Sequence, residues 1–145
     1  MRVMQQLGAI DQTLSLFVGL HNILGVRPIQ RFASSSLRDE LLPKLAAGRE
    51  LAAFGLTEPG AGSNPRSIST QAIKRQAGGW SLIGTKIWSG SAAWAGAMNI
   101  FARHPETGKI SGFVVRRGMA GLRQGPEALT MGMRGMVQNL SLIHI

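Results

Sequence analysis

Cysteine is absent from the 145 residues, which excludes a disulfide framework, a Cys-rich zinc site and thiol catalysis. That absence fits a reducing compartment. Long apolar runs are missing too: no stretch approaches the roughly 18 uninterrupted apolar residues that a spanning helix needs, so no membrane span is expected. The opening residues, Met1-Arg2-Val3-Met4-Gln5-Gln6, lack the apolar run and small-residue cleavage site of a secretory leader. Acidic residues are scarce, 7 against 16 Lys plus Arg, for a formal net charge of +9. Such an excess can mark a polyanion partner. Here the basic residues are scattered, with only Lys74-Arg75 and Arg116-Arg117 adjacent, and no basic run carries interleaved aromatics. A solvated basic surface is the better reading, and no nucleic-acid partner is expected. Hydrophobic residues at 44% and charged residues at 16% allow one ordinary globular core.

What is present divides into two textures. Val3, Leu7, Ile10, Leu14, Phe17, His21 and Leu24 recur at spacings of four and three, predicting one buried core helix that Gly25 and Pro28 stop. A second, shorter helix follows Ser35-Ser36 as cap and ends at Gly48, with Pro43 making its start irregular. From Leu51 the period shortens. Leu51–Leu56 reads as a strand, residues 70–83 as a hairpin about Gly78-Gly79, and residues 98–116 as a second hairpin about Gly108. Shorter strands or turns follow at 121–123 and 131–138. The fold class is therefore α+β: N-terminal helices followed by an antiparallel β-barrel or sandwich. The division proposed is a helical part over 1–49 and a β domain over 50–139.

Two loops carry the candidate chemistry. Leu56-Thr57-Glu58-Pro59-Gly60-Ala61-Gly62-Ser63-Asn64 runs from a strand into a glycine-opened turn, where bare N–H groups and hydroxyls suit phosphate oxygens. It is neither a Walker loop nor a dinucleotide fingerprint, because no Gly-Lys-Ser/Thr follows and Pro65 stands where a third glycine belongs. On its own it reads as a surface turn. Gly84-Thr85-Lys86-Ile87-Trp88-Ser89-Gly90-Ser91 sets an indole in a polar, glycine-rich context, offering a flat face to another ring. Alone, Trp88 reads as a core residue, like Trp80 and Trp94. Glu58 reads as structural, Glu106 and Glu127 as turn residues, His21 as a helix-packing residue and His104 as part of a hairpin turn.

Taken together, Phe54 through Ser63 followed by Gly84-Thr85-Lys86-Ile87-Trp88 resembles the flavin-binding signature of the acyl-CoA dehydrogenase family. His21–Val26 and Leu42–Gly48 are similar to the helices that precede that domain, and Met131-Gly132-Met133-Arg134-Gly135 to its closing segment. The resemblance implies FAD as cofactor, held by Phe54, Leu56, Thr57, Gly62, Ser63, Trp88, Ser89 and Gly90. Leu56 and Thr57 would lie along the flavin's pyrimidine edge, with Trp88 over the ring. Ser63 would meet the pyrophosphate and border the acyl-CoA path. It also implies α,β-dehydrogenation of an acyl-CoA substrate, an electron-transfer flavoprotein or similar acceptor, and a homo-oligomeric parent. The implied location is a bacterial-type cytoplasm or a mitochondrial matrix, not the secretory route.

The family's catalytic glutamate comes from a C-terminal helical bundle that nothing in this chain resembles. No catalytic residue is assigned, and the chain is expected to be inactive alone. The competing class is a non-enzymatic basic β module that binds a polyanion. Two positions depart from the family pattern: Asn64 replaces the usual Asp, and Trp88-Ser89-Gly90 replaces Trp-Ile-Thr, leaving Ser89 or Ser91 to supply the hydroxyl. The last six residues, Leu140-Ser141-Leu142-Ile143-His144-Ile145, are expected to be non-native, since they match the translation of a transposase adapter end; a genuine β-strand is the alternative.

Overall fold

The computed structural model describes residues 2–145. Helices occupy the first third and a curled seven-stranded sheet the rest, as the two textures predict. The single N-terminal helix does not form. It divides into α1 (Arg2–Ile10) and α2 (Gln12–Leu20) at Asp11, whose extended backbone and carboxylate cap Thr13 and Leu14 at 2.7 and 3.0 Å. An aspartate able to accept two amide bonds competes with helix continuation, and here it wins. α1 folds back on α2, with the Ser15 hydroxyl donating to the Met4 carbonyl at 2.8 Å. The stripe expected to be buried is consequently open at Val3, Ile10 and Leu14.

Gly25 does not stop the chain either. His21–Val26 widens into a π-turn that feeds α3 (Arg27–Phe32), with Pro28 in its first turn, where a missing N–H costs nothing. The wide turn frees carbonyls, and Asn99 collects two of them: its amide donates to Leu24 and Gly25, both at 2.8 Å. Glycine is required at 25 because a Cβ there would lie 2.5 Å from the Ala52 carbonyl oxygen. Gly25→Ala is expected to cost about 1–3 kcal/mol by overpacking, read as a lower urea midpoint with an unchanged slope. Helix α4 (Ser35–Ala46) is capped by Ser34, one residue earlier than expected. Its start is regular, and Pro43 sits near its far end on an exposed face. Gly48 takes the left-handed conformation after it, as expected (φ +67°).

The strands are β1 (Ala52–Gly55), β2 (Gln71–Lys74), β3 (Trp80–Gly90), β4 (Ala97–Arg103), β5 (Ile110–Arg116), β6 (Leu122–Glu127) and β7 (Gln138–His144). Both hairpins form in the expected places, β2 with β3 and β4 with β5. The sheet is not wholly antiparallel: β1 runs parallel to β4, and β2 meets β4 in parallel at Gln71–Arg103. Parallel pairing needs a crossover, and the turn-rich chain from Leu56 to Thr70 supplies it. Glu127 ends β6 rather than occupying a turn.

One core lies within the curl, around Ala53, Ala72, Leu82, Met98, Ile100, Val115 and Ile143. A second, around Ile29, Leu41, Leu45, Ala52 and Ala97, glues α3 and α4 to the back of β1 and β4. Arg116 ties α4 to the sheet through Glu40, and the turn after α4 through Glu50. Among the described residues no helix is long and apolar enough to cross a membrane.

Candidate functional site

The two candidate loops meet. β1 ends at Gly55, and the chain then lies along β3, so that the Ile87 N–H donates to the Thr57 carbonyl at 2.9 Å. Beyond Thr57, Glu58 and Ala61 exchange backbone hydrogen bonds at 3.1 and 3.0 Å around Pro59-Gly60, forming a tight turn anchored by the buried Ala61 side chain. A Cβ added at Gly60 or Gly62 would touch nothing, and Ser63 is exposed, so the turn presents an open rim of N–H groups and a hydroxyl. Asn64 accepts from the Arg66 N–H at 3.2 Å through its amide oxygen. An aspartate could make the same bond, so this departure from the family pattern keeps the turn's geometry.

Trp88 sits at a break in the β3–β7 register, between Lys86 and Ser89. Its backbone is left-handed (φ +55°) and its side chain is 55% exposed. A bulky residue pays for that conformation, and a core tryptophan would gain burial in return. Trp88 stays half-exposed, so a place in the core does not account for the conformation. Ser89, next along, is fully buried, and its Oγ has no hydrogen-bond partner among the described residues. Ser91 is buried with φ +63°, and Gly90 faces Met136 and Gln138, with room for little more than its hydrogen. Phe54 is turned elsewhere: its ring packs on Phe101, centroids 5.1 Å apart.

Lys86 and Glu58 stand behind these loops, and scanning for a basic surface missed the first of them. Lys86 is not solvated; it is 0% exposed, and its ammonium donates to Glu58 Oε1 at 2.7 Å and to the Leu56 carbonyl at 3.1 Å. Glu58 also accepts from the Ser69 N–H and hydroxyl at 2.5 and 2.7 Å and from the Thr70 N–H at 3.0 Å. The structural reading of Glu58 therefore stands. Burial opposes its ionisation, but hydrogen bonds from Lys86, Thr70 and Ser69 outweigh burial and hold the carboxyl at about 2, below the ordinary 4.5. Burial pulls Lys86 down against the opposing pull of Glu58. The available signal was positional: Lys86 shares its strand face with Leu82, a core residue four positions back.

The larger concavities lie away from these loops. A groove of about 780 Å³ runs between α3, α4 and the outer faces of β4 and β5, past Phe32, Trp80, Phe101 and Phe113. The Thr57–Trp88 region is instead an open platform. His21 Nδ1 accepts from the Ala52 N–H at 3.1 Å, and His104 pairs with Ser111 at 2.8 Å beside the Trp80 ring, so neither histidine is near the platform's chemistry.

The acyl-CoA dehydrogenase middle-domain family model matches residues 53–142, and the N-terminal-domain model of the same family matches residues 1–49. The chain belongs to the acyl-CoA dehydrogenase family. It is 35% identical over 142 residues to a mitochondrial very long-chain specific acyl-CoA dehydrogenase of Macaca fascicularis, covering 92% of this chain and 22% of that protein. Among solved structures, butyryl-CoA dehydrogenase from Megasphaera elsdenii superposes with a TM-score of 0.93 at 26% identity, over 97% of this chain and 38% of its own. A glutaryl-CoA dehydrogenase from Mycobacterium smegmatis, in complex with FADH2, superposes at 0.90 with 31% identity, over 97% and 36%. The chain thus spans less than two-fifths of the length of these relatives.

Proposed function

We propose that this chain is the flavin-holding part of an FAD-dependent acyl-CoA dehydrogenase. The observation that carries the reading is the join of the glycine-opened turn to the Trp88 bulge through the Thr57–Ile87 hydrogen bond. It sets bare N–H groups, hydroxyls and a half-exposed indole on one platform. Such a set suits a diphosphate joined to a flat tricycle. Leu56 and Thr57 would bound the ring's pyrimidine edge, Trp88 would cover the ring, and Gly62 and Ser63 would take the pyrophosphate, Ser63 bordering the acyl-CoA path. Ser89, Gly90 and Phe54 complete the proposed set. Ser89 brings the unpartnered hydroxyl, and Phe54 braces the strand from its far side. FAD, when bound, would accept the hydride from the substrate's β-carbon; the protein's part is to place and tune the ring.

The α-proton would go to a glutamate carried by a helical segment unlike any within the 145 residues, so the chain alone is proposed to be inactive. Exposed Phe32, Leu129 and Met131 support further protein packing against this part. An electron-transfer flavoprotein as acceptor, a homo-oligomeric parent, and a division of the chain near residue 49 belong to the same proposal. So does a location in a bacterial cytoplasm or mitochondrial matrix.

FAD added to the purified protein is expected to stay bound through gel filtration, with Trp88→Ala weakening it roughly tenfold or more by loss of an aromatic contact and buried area. No retained flavin absorbance and no thermal shift would overturn the reading. Salt-dependent heparin binding with no flavin signal would favour the polyanion module instead.

A further inference from the structure

Lys86 reaches the platform from beneath, through a single peptide group. Its ammonium donates to the Leu56 carbonyl oxygen, which belongs to the same amide as the Thr57 N–H. That N–H has no hydrogen-bond partner among the described residues, although the Thr57 carbonyl is taken by Ile87. A cation on the oxygen of an amide draws electron density from its nitrogen, so the N–H becomes a stronger donor. Glu58 fixes the ammonium in place: it holds Lys86 at 2.7 Å and is itself held by Ser69 and Thr70 at the entrance to β2. Both charges are buried, with side chains 0% and 2% exposed, so water does not weaken the polarisation.

A buried ammonium needs acceptors for its hydrogens in any case; what joins this ion pair to the platform is that one of them is the carbonyl next to the open edge. We propose that Lys86 is a positioning residue of the cofactor platform, polarising the Leu56–Thr57 peptide so that the Thr57 N–H binds a ring edge that gains negative charge on reduction. This rests on the flavin reading above and adds a redox preference to it. A donor strengthened in this way favours the reduced ring over the oxidised one. Removing the polarisation would therefore weaken the two forms unequally.

The test compares the wild-type protein with a Lys86→Met/Glu58→Gln double variant, which leaves no unpaired buried charge. A Lys86→Gln/Glu58→Gln variant, which keeps neutral hydrogen bonding, serves if the first does not fold. FAD affinity is measured by fluorescence titration, and the midpoint potential of bound FAD by dye equilibration. The expected result is that the reduced form loses about tenfold more affinity than the oxidised form, a midpoint about 30 mV lower for two electrons. Equal weakening of both forms would reduce Lys86 to a structural clamp and overturn the inference, as would no change in either. Failure of the wild-type protein itself to bind FAD would sink the flavin reading and this inference together, a result distinguishable from the other two.

Discussion

Lys86→Met is expected to cost about 3–5 kcal/mol of stability at neutral pH, a large fraction of the roughly 5–15 kcal/mol that holds a domain of this size. The cost arises from what is left behind. Methionine fills the volume, but Glu58 remains at 3% exposure with its nearest cation gone. Glu58→Gln added to Lys86→Met should recover much of the loss, because a buried ion pair replaced as a unit is often near neutral. The pH profile separates this account from simple misfit. In the wild-type chain the Glu58 carboxyl is depressed from 4.5 to about 2, so its contribution is fully present above pH 4.5 and is lost as pH falls towards 2. On linkage that is on the order of 3 kcal/mol. Without Lys86 the largest of the lowering contributions is gone and the carboxyl moves up, so the variant's deficit should shrink as acid neutralises Glu58. Urea midpoints at pH 7, 4.5 and 3 measure it. A deficit independent of pH would mean that Lys86 matters only by packing.

The parts of the fold that the sequence disclosed are those where local chemistry and tertiary packing agree. Gly78-Gly79 and Gly108 take left-handed backbone in hairpins that were expected at those residues, and Gly48 ends α4 as anticipated. The first helix was misread because periodicity sees which residues are apolar and not where the chain turns. Asp11 lies off the stripe, between its positions Ile10 and Leu14, and its capping strength shows only in the backbone it adopts. The parallel β1–β4 pairing and the Asn99 clamp on the π-turn join residues some 45 and 75 positions apart, distances no local pattern reports. The platform was legible as two motifs. The ion pair behind them was not, because Lys86 counts as a surface charge until its strand partners are known.

Deleting residues 140–145 is expected to abolish cooperative unfolding. Six residues are few, but their place is central: β7 lies between β3 and β6, and both lose a partner. Ile143 is fully buried in the main core, where loss of such a side chain alone costs about 2–5 kcal/mol. The backbones of Leu82 and Ile145 exchange hydrogen bonds at 2.8 and 2.9 Å, and the His144 N–H donates to Gly121 at 3.0 Å. The side chains suit the slot less well than the backbone does. Ser141 is fully buried while Leu142 beside it is 39% exposed, the reverse of apolar-in and polar-out at that one pair, whereas Ile143 and His144 follow the alternation. Ser141 is reconciled to the core only through Gln124, 2.8 Å away. We propose that residues 140–145 are foreign to the protein, and that a native strand in this slot would carry an apolar residue at 141. On that reading Ser141→Val should be neutral or stabilising, while truncation at Asn139 removes the thermal transition followed by circular dichroism. A truncated chain with an unchanged urea midpoint would show β7 dispensable, and unbroken coding sequence across Asn139 in the source DNA would show the hexapeptide native.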